Sequence, residues 1–211
     1  MIEKPATVFV VDDDPAVGKA VGRLLQSMGY QVTTFESALD FLASECESAG
    51  PCCLVLDVKM PGLNGFDLQR ELDSRDYTPP IVFITGHGDI SMGVNAMKKG
   101  AVDFIPKPFD DEQLLAAVQE ALEKDSKSRT VIAERKRIQQ RLNTLSPRER
   151  EVLTYVITGL LNKEIAYILN IKEKTVIVHR SRVMAKMKVR SVAELVRATA
   201  KIGLEPAKVP L

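Results

Sequence analysis

Short, continuously apolar runs alternate with amphipathic stretches of helical period along the first half of the chain. The runs fall at 8–11 (VFVV), 31–35, 54–56, 81–85 (IVFIT) and 102–105; the helical stretches follow at 16–28, 37–44, 66–73, 91–99 and 111–123. Gly29 and Gly100 stand where two of these helices would stop, and Ser37 where one would start. Strands that are apolar on both faces belong to a parallel sheet covered by helices on either side. An eight-stranded barrel takes about 250 residues. The pattern therefore predicts an α/β, doubly wound, five-stranded parallel sheet.

The second half has no strand pattern. Residues 124–143 are polar, free of Gly and Pro, and rich in helix formers, so they read as a helical linker. Ile138, Leu142 and Leu145 form a thin apolar stripe on it, for a partner or for the next domain. Ser146-Pro147-Arg148-Glu149 is a capping box with proline at the first helical position, and that helix runs to a stop at Gly159. A short helix over 163–169 ends at Asn170, a left-handed cap. A longer basic helix covers 173–187. Ser191-Val192-Ala193-Glu194 is a second capping box that opens a last helix, stopped by Gly203. Four short helices with a tight turn between the second and third make an all-α helix-turn-helix domain. The division expected is 1–123, a linker over 124–143, and a domain over 144–205.

Charge separates the same halves. Residues 1–123 carry 9 Lys/Arg against 20 Asp/Glu, and residues 124–211 carry 20 against 8, so a net of +1 hides −11 beside +12. A basic helical half points to a polyanion, although a basic face can also be merely solvated. No apolar run reaches the roughly 18 residues of a membrane span, and Glu3 and Pro5 interrupt any signal-peptide pattern. Cys46, Cys52 and Cys53 lack CxxC spacing or a nearby histidine, which predicts reduced thiols in the cytoplasm and argues against a disulfide framework or zinc site.

The candidate chemistry sits at strand ends. Asp12, Asp13 and Asp14 follow the first strand, Asp57 closes the third, Thr85 the fourth, and Lys107 follows the fifth. Open α/β sheets bind ligands at the carboxyl ends of strands where strand order reverses. In a 2-1-3-4-5 order, that point brings Asp12 and Asp13 beside Asp57. Crowded carboxylates repel unless a cation lies among them, and hard oxygen donors suit Mg²⁺. Asp57 is then a metal ligand, a nucleophile toward phosphorus, or only a turn residue. GxGxxG and GxxxxGK[ST] are absent, which disfavours dinucleotide and P-loop chemistry.

VVDDD, LDVKMPGLNG, FITGHGD and FIPKPF closely resemble the receiver domain of bacterial two-component response regulators, over residues 5 to 123. The resemblance implies a CheY-like, flavodoxin-like fold with Asp57 as phosphoacceptor. It implies Mg²⁺, with Mn²⁺ as substitute, held by Asp12, Asp13, Asp57 and the Lys59 backbone carbonyl. Thr85 and Lys107 would hold the phosphoryl group, and Phe104 would be a switch aromatic, with plain core packing as its alternative. Lys107-Pro108 matches a position often cis. Gly86 departs from the alanine usual after Thr85. Helix 91–99, strand 102–105 and helix 111–122 would form the face that changes and dimerises.

LSPREREVL, GLLNKEIAYILNI and KTVIVHRSRVMAKMKVRSVAELV resemble the DNA-binding domain of the NarL/FixJ, or LuxR-type, regulators, over residues 143–203. Helix 173–187 would be the recognition helix. Val176, Val183, Met184 and Met187 share one face and read as core. Ile177, Val178 and Ser181 point elsewhere, toward base edges. Lys163, Lys174, Thr175, His179, Arg182 and Lys186 are candidates for phosphate contact. Two departures stand out: Lys172 replaces the usual Ser or Thr cap, and apolar Ile177 replaces a common lysine.

Together these imply a regulator that takes a phosphoryl group from a sensor histidine kinase, forms a homodimer, and binds double-stranded DNA, with RNA polymerase as a further partner. It would be no enzyme beyond phosphorylating and dephosphorylating itself. One rival is a regulator indifferent to phosphorylation. The other is a haloacid-dehalogenase-like phosphatase, which needs a second aspartate two residues after its nucleophile, where this chain has Lys59.

Overall fold

A computed structural model describes residues 5–44, 48–74, 78–86 and 90–208. The chain divides into two compact units, Met1–Arg129 and Thr130–Leu211.

In the first unit, strands β1 (Thr7–Val11), β2 (Gln31–Phe35), β3 (Cys52–Asp57), β4 (Ile81–Thr85) and β5 (Asp103–Pro106) pair in parallel in the order β2-β1-β3-β4-β5. The runs predicted five parallel strands, and this is the 2-1-3-4-5 order that brings Asp12 and Asp13 beside Asp57. Helices α1 (Pro15–Ser27), α2 (Ala38–Ala43), α3 (Gly65–Asp73) and α4 (Ile90–Lys98) connect the strands, and α5 (Asp111–Asn143) follows the last one. Strand side chains alternate between faces. Val8 and Val10 therefore join Val21 and Leu25 of α1 and Leu114 and Val118 of α5 in one core. Phe9 and Val11 join Phe41 of α2, Leu68 of α3 and Ala96 of α4 in the other. Each fully buried Val or Leu contributes about 1.5–3 kcal/mol, so both faces of the sheet must be covered.

Local signals place the helix ends. The Asp14 side chain accepts the Ala16 N–H at 2.8 Å with Pro15 at the first position of α1, and Ser37 and Asn64 cap α2 and α3 in the same way. The helix expected to stop at residue 123 does not stop. It runs without a break through the expected linker as the single 33-residue α5.

The second unit packs α6 (Pro147–Val156), α7 (Asn162–Ile168), α8 (Glu173–Met187) and α9 (Val192–Lys201) around Val152, Leu153, Ile165, Val176, Val183, Met187 and Leu195. Ile138, Leu142 and Leu145 are buried in this core, so the thin stripe on the linker serves the next domain. Ser146 and Glu149 form the expected reciprocal capping box. The box at Ser191 is only half formed. Ser191 caps α9, but the Glu194 carboxylate takes the Arg190 N–H at 2.8 Å in place of the Ser191 N–H. Asn170 adopts φ 50° between α7 and α8, as its cap role predicts.

Cys52 and Cys53 are buried and form no disulfide, and burial pushes the Cys53 thiol far above its usual range. Cys46 lies outside the described residues. Among the described residues, no helix is long and apolar enough to cross a membrane.

Candidate phosphoryl and metal site and candidate nucleic-acid interface

Parallel pairing aligns the carboxyl ends of β1, β3 and β4. Val11 lies opposite Leu56, and Asp57 opposite Ile84. Asp12 and Asp57 thus come together at the point where strand order reverses, and both are buried. Ligand oxygens of Asp12, Asp13 and Asp57 all lie within 4.8 Å of one another; Asp13 is exposed. Asp14 takes no part, because its side chain caps α1.

Lys107 enters from the loop after β5, where its backbone N–H donates to the Thr85 carbonyl at 2.7 Å. Its Nζ donates to Asp12 Oδ2 at 2.6 Å and stands 3.5 Å from Asp57 Oδ1. Asp57 Oδ1 is buried and, among the described residues, accepts no hydrogen bond. Burial pushes the Asp57 carboxyl above its usual range; Lys107 and the Val58 N–H pull it down, while Asp12 and Asp13 push it up. Three carboxylates facing one ammonium leave an excess of negative charge and a buried oxygen without a hydrogen bond. That is a donor set of hard oxygens that a metal ion can use.

Thr85 is fully buried at the end of β4. Phe104 is half-buried, its ring centroid 6.3 Å from that of Phe83. A Cβ at Gly93 of α4 would come to 3.1 Å of that ring, so this glycine gives Phe104 its seat. The Lys107-Pro108 peptide is cis, as the resemblance implied. A Cβ at Gly86 would meet nothing within 4 Å. Lys59 is exposed. Gly65, which the motif contains but residue chemistry did not single out, admits the closest approach. Its N–H donates to the Val58 carbonyl at 3.0 Å, and a Cβ there would lie 2.4 Å from the Asp57 carbonyl oxygen.

In the second unit, α8 buries Val176, Val183 and Met187, with Met184 half-buried, as the core reading required. Its opposite face shows Lys174, Ile177, Val178 and Ser181, with Thr175 and Arg182 beside them, all exposed; so is Lys163 on α7. Ile177 and Val178 are 49% and 47% exposed, too open for core residues on a packed helix. Lys172 precedes α8 and makes no side-chain cap, in line with its departure from Ser or Thr.

Two of the expected phosphate contacts have settings of their own. Lys186 Nζ donates to Glu149 Oε2 at 2.6 Å and to the Thr144 carbonyl at 3.1 Å, so it serves the domain's own packing. Its position on the helix turns it toward α6 and away from the outer stripe. His179 is half-buried, with Nδ1 buried and, among the described residues, unbonded. Arg180, which periodicity did not single out, ties α8 to α7 through Asn162 Oδ1 at 2.9 Å.

The family model for the response regulator receiver domain matches residues 8–119, and that for bacterial regulatory proteins of the luxR family matches residues 143–199. The chain is a two-component response regulator with a LuxR-type DNA-binding domain. It is similar to nodulation protein W of Bradyrhizobium diazoefficiens, 46% identical over 94% of this chain and 87% of that protein. It is similar also to the transcriptional regulatory protein FixJ of Rhizobium meliloti, 43% identical over 95% of this chain and 98% of that one. The solved structure of response regulator StyR matches with a TM-score of 0.82 at 45% identity, covering 93% of this chain and 99% of that chain. Members of this family act in transcriptional control and are not conventional enzymes, so the phosphatase reading is set aside.

Proposed function

We propose that Asp57 of this response regulator accepts a phosphoryl group from a sensor histidine kinase, and that this controls binding to double-stranded DNA. The observation that carries the reading is the Asp57 carboxylate, whose buried, unbonded Oδ1 faces Lys107 at 3.5 Å. A carboxylate oxygen of Asp57 attacks phosphorus; the P–N bond of the kinase phosphohistidine breaks, and the imidazole keeps the electron pair and takes a proton from solvent. Lys107 then faces a phosphoryl group with a point charge already in place. The Thr85 hydroxyl holds a phosphoryl oxygen, and Phe104 follows Thr85 as the switch. The same site transfers the group to water, so the protein phosphorylates and dephosphorylates itself and turns over no other substrate.

The acidic cluster suits Mg²⁺, with Mn²⁺ as substitute, held by Asp12, Asp13, Asp57 and the Lys59 backbone carbonyl; the ion supplies positive charge against the phosphoryl oxygens. The receiver extends over 1–123, the linker over 124–143 and the DNA-binding domain over 144–205. Phosphorylation favours a homodimer that grips two half-sites, with RNA polymerase as a partner at the promoter, in the cytoplasm. On the outer face of α8, Ile177, Val178 and Ser181 read bases in the major groove, while Lys163, Lys174, Thr175 and Arg182 meet phosphates. Exposed apolar side chains there suit thymine methyl groups.

The test is uptake of phosphate from acetyl phosphate with Mg²⁺. Asp57→Asn abolishes it, and label retained by that variant overturns the assignment. DNA affinity measured with and without the phosphodonor then decides the output. Equal affinity means a regulator that works without phosphorylation.

A further inference from the structure

Within the second unit, the end of α5 and the whole of α9 repeat one spacing. Glu134, Arg137, Ile138 and Arg141 stand at i, i+3, i+4 and i+7 on α5. Glu194, Arg197, Ala198 and Lys201 stand at the same intervals on α9. Residues so spaced share one face of a helix, and here both faces line a single cleft of about 370 Å³. Two contacts fix how the faces meet. Glu134, first in its run, pairs with Lys201, last in the other, at 2.7 Å. Arg141, last in its run, donates to the Met187 carbonyl at 3.2 Å, shortly before α9 begins. The two runs are therefore antiparallel.

Counted from the Glu134–Lys201 end, Arg137 lies three residues in and Arg197 four. At about 1.5 Å per residue the two guanidinium-bearing positions stand at nearly the same level of the cleft. Among the described residues, neither Arg137 nor Arg197 makes an ion pair or a side-chain hydrogen bond. The carboxylates of the cleft are engaged elsewhere: Glu134 serves Lys201, and Glu194 accepts the Arg190 N–H at 2.8 Å. Like charges held together repel, and an anion between them relieves both. The floor beside them is apolar, because Ile138 is buried and Val189 and Ala198 pack on the same core.

We propose that this cleft binds a nucleotide carrying two or more phosphoryl groups, with its phosphates between Arg137 and Arg197 and its base on Ile138, Val189 and Ala198. A guanidinium meets phosphate oxygens two at a time and also stacks on flat rings. Four cations against two carboxylates leave an excess of two positive charges in the cleft, which a diphosphate offsets. An apolar floor with a few convergent polar groups, in a space of about 300–1,000 Å³, is the usual make-up of a small-molecule site. The site lies wholly within the second unit and is independent of the phosphorylation of Asp57.

Equilibrium dialysis of the full chain with ADP and with GDP tests the site. EDTA is present, so that the acidic cluster of the first unit holds no metal-bound phosphate. One nucleotide is expected to bind per chain, with the matching monophosphate at least about tenfold weaker. Arg137→Gln/Arg197→Gln weakens the diphosphate by about tenfold or more. Arg135→Gln/Lys136→Gln removes the same charge from exposed positions of α5 outside the cleft and changes binding less than about twofold. Equal losses in the two variants reduce the attraction to overall charge and overturn the site. Inorganic pyrophosphate binding as tightly as both nucleotides leaves the apolar floor without a role and overturns the nucleotide. Absence of saturable binding by ADP and GDP alike overturns the proposal. Should Arg137→Gln/Arg197→Gln then weaken duplex DNA binding instead, the cleft belongs to the phosphates of the DNA backbone.

Discussion

The Lys107 ammonium is bonded to Asp12, at 2.6 Å, and stands 3.5 Å from Asp57. It holds the acidic pair together while leaving the buried Asp57 Oδ1 without a hydrogen bond. Replacing it with methionine leaves three carboxylates facing one another and removes the side-chain charge that pulls the Asp57 carboxyl down. A preorganised charge of this kind is worth roughly 100-fold in rate. Lys107→Met is expected to slow phosphate uptake from acetyl phosphate by about that factor, measured at saturating Mg²⁺. An unchanged rate separates Lys107 from phosphoryl transfer.

Gly65 is needed for space, because a Cβ there would lie 2.4 Å from the backbone oxygen of Asp57. Backbone cannot swing aside as a side chain can. Gly65→Ala is expected to lose about 1–3 kcal/mol of stability in urea unfolding. Gly18→Ala is the control. It lies in α1, nothing stands within 4 Å of its added Cβ, and alanine there gains about 0.5–1 kcal/mol. Equal effects of the two substitutions contradict the close approach.

Hydrogen bonding from Lys186, aided by the Ser146 N–H, holds the Glu149 carboxyl below its usual range. A carboxyl depressed in the folded state contributes stability that is complete above its unfolded value, about 4.3, and is lost as pH falls through the folded value. Melting temperature of the full chain should therefore fall with acid below about pH 4.5 in part through this group. In Lys186→Met the chain starts less stable at pH 7, and the Glu149 share of that acid slope shrinks. An identical acid slope in both proteins rules out the pair. Ser146→Ala removes the cap on α6 and costs about 1 kcal/mol at any pH.

Lys174 and Lys186 lie on the same helix with different surroundings. Lys174 is exposed on the outer face, and Lys186 is spent on Glu149. Lys174→Ala is expected to reduce the salt dependence of DNA binding by about one unit of slope, uniformly across sequences. Lys186→Gln lowers stability and leaves the slope unchanged. A smaller slope for Lys186→Gln at equal folding would return it to the phosphate contacts.

Much of the site was legible because strand ends are easy to read. The run LVLD ends a buried strand, so Asp57 had to emerge at the sheet's carboxyl edge, and the acidic run after VFVV had to do the same. The core face of α8 was legible from the spacing of Val176, Val183 and Met187. Lys186 and His179 were harder, because helical period gives an angle and not a partner. Whether a flanking side chain turns to solvent or to a neighbour depends on Glu149, thirty-seven positions away.

Sequence by itself determined the five parallel strands, the four-helix unit, the cap residues and the candidate carboxylates. These follow from periodicity and from backbone groups that need local partners. Tertiary structure alone decided which carboxylate Lys107 bonds, why Gly65 must be glycine, and where Lys186 points. It also decided the fate of residues 124–143, which read as one uniform polar helix. Partners distant in sequence, Cys52 and Ser48 at one end and Met187 and Lys201 at the other, divide that helix between the two units. Such long-range pairing of polar groups leaves no period along the chain, so only the folded molecule reveals it.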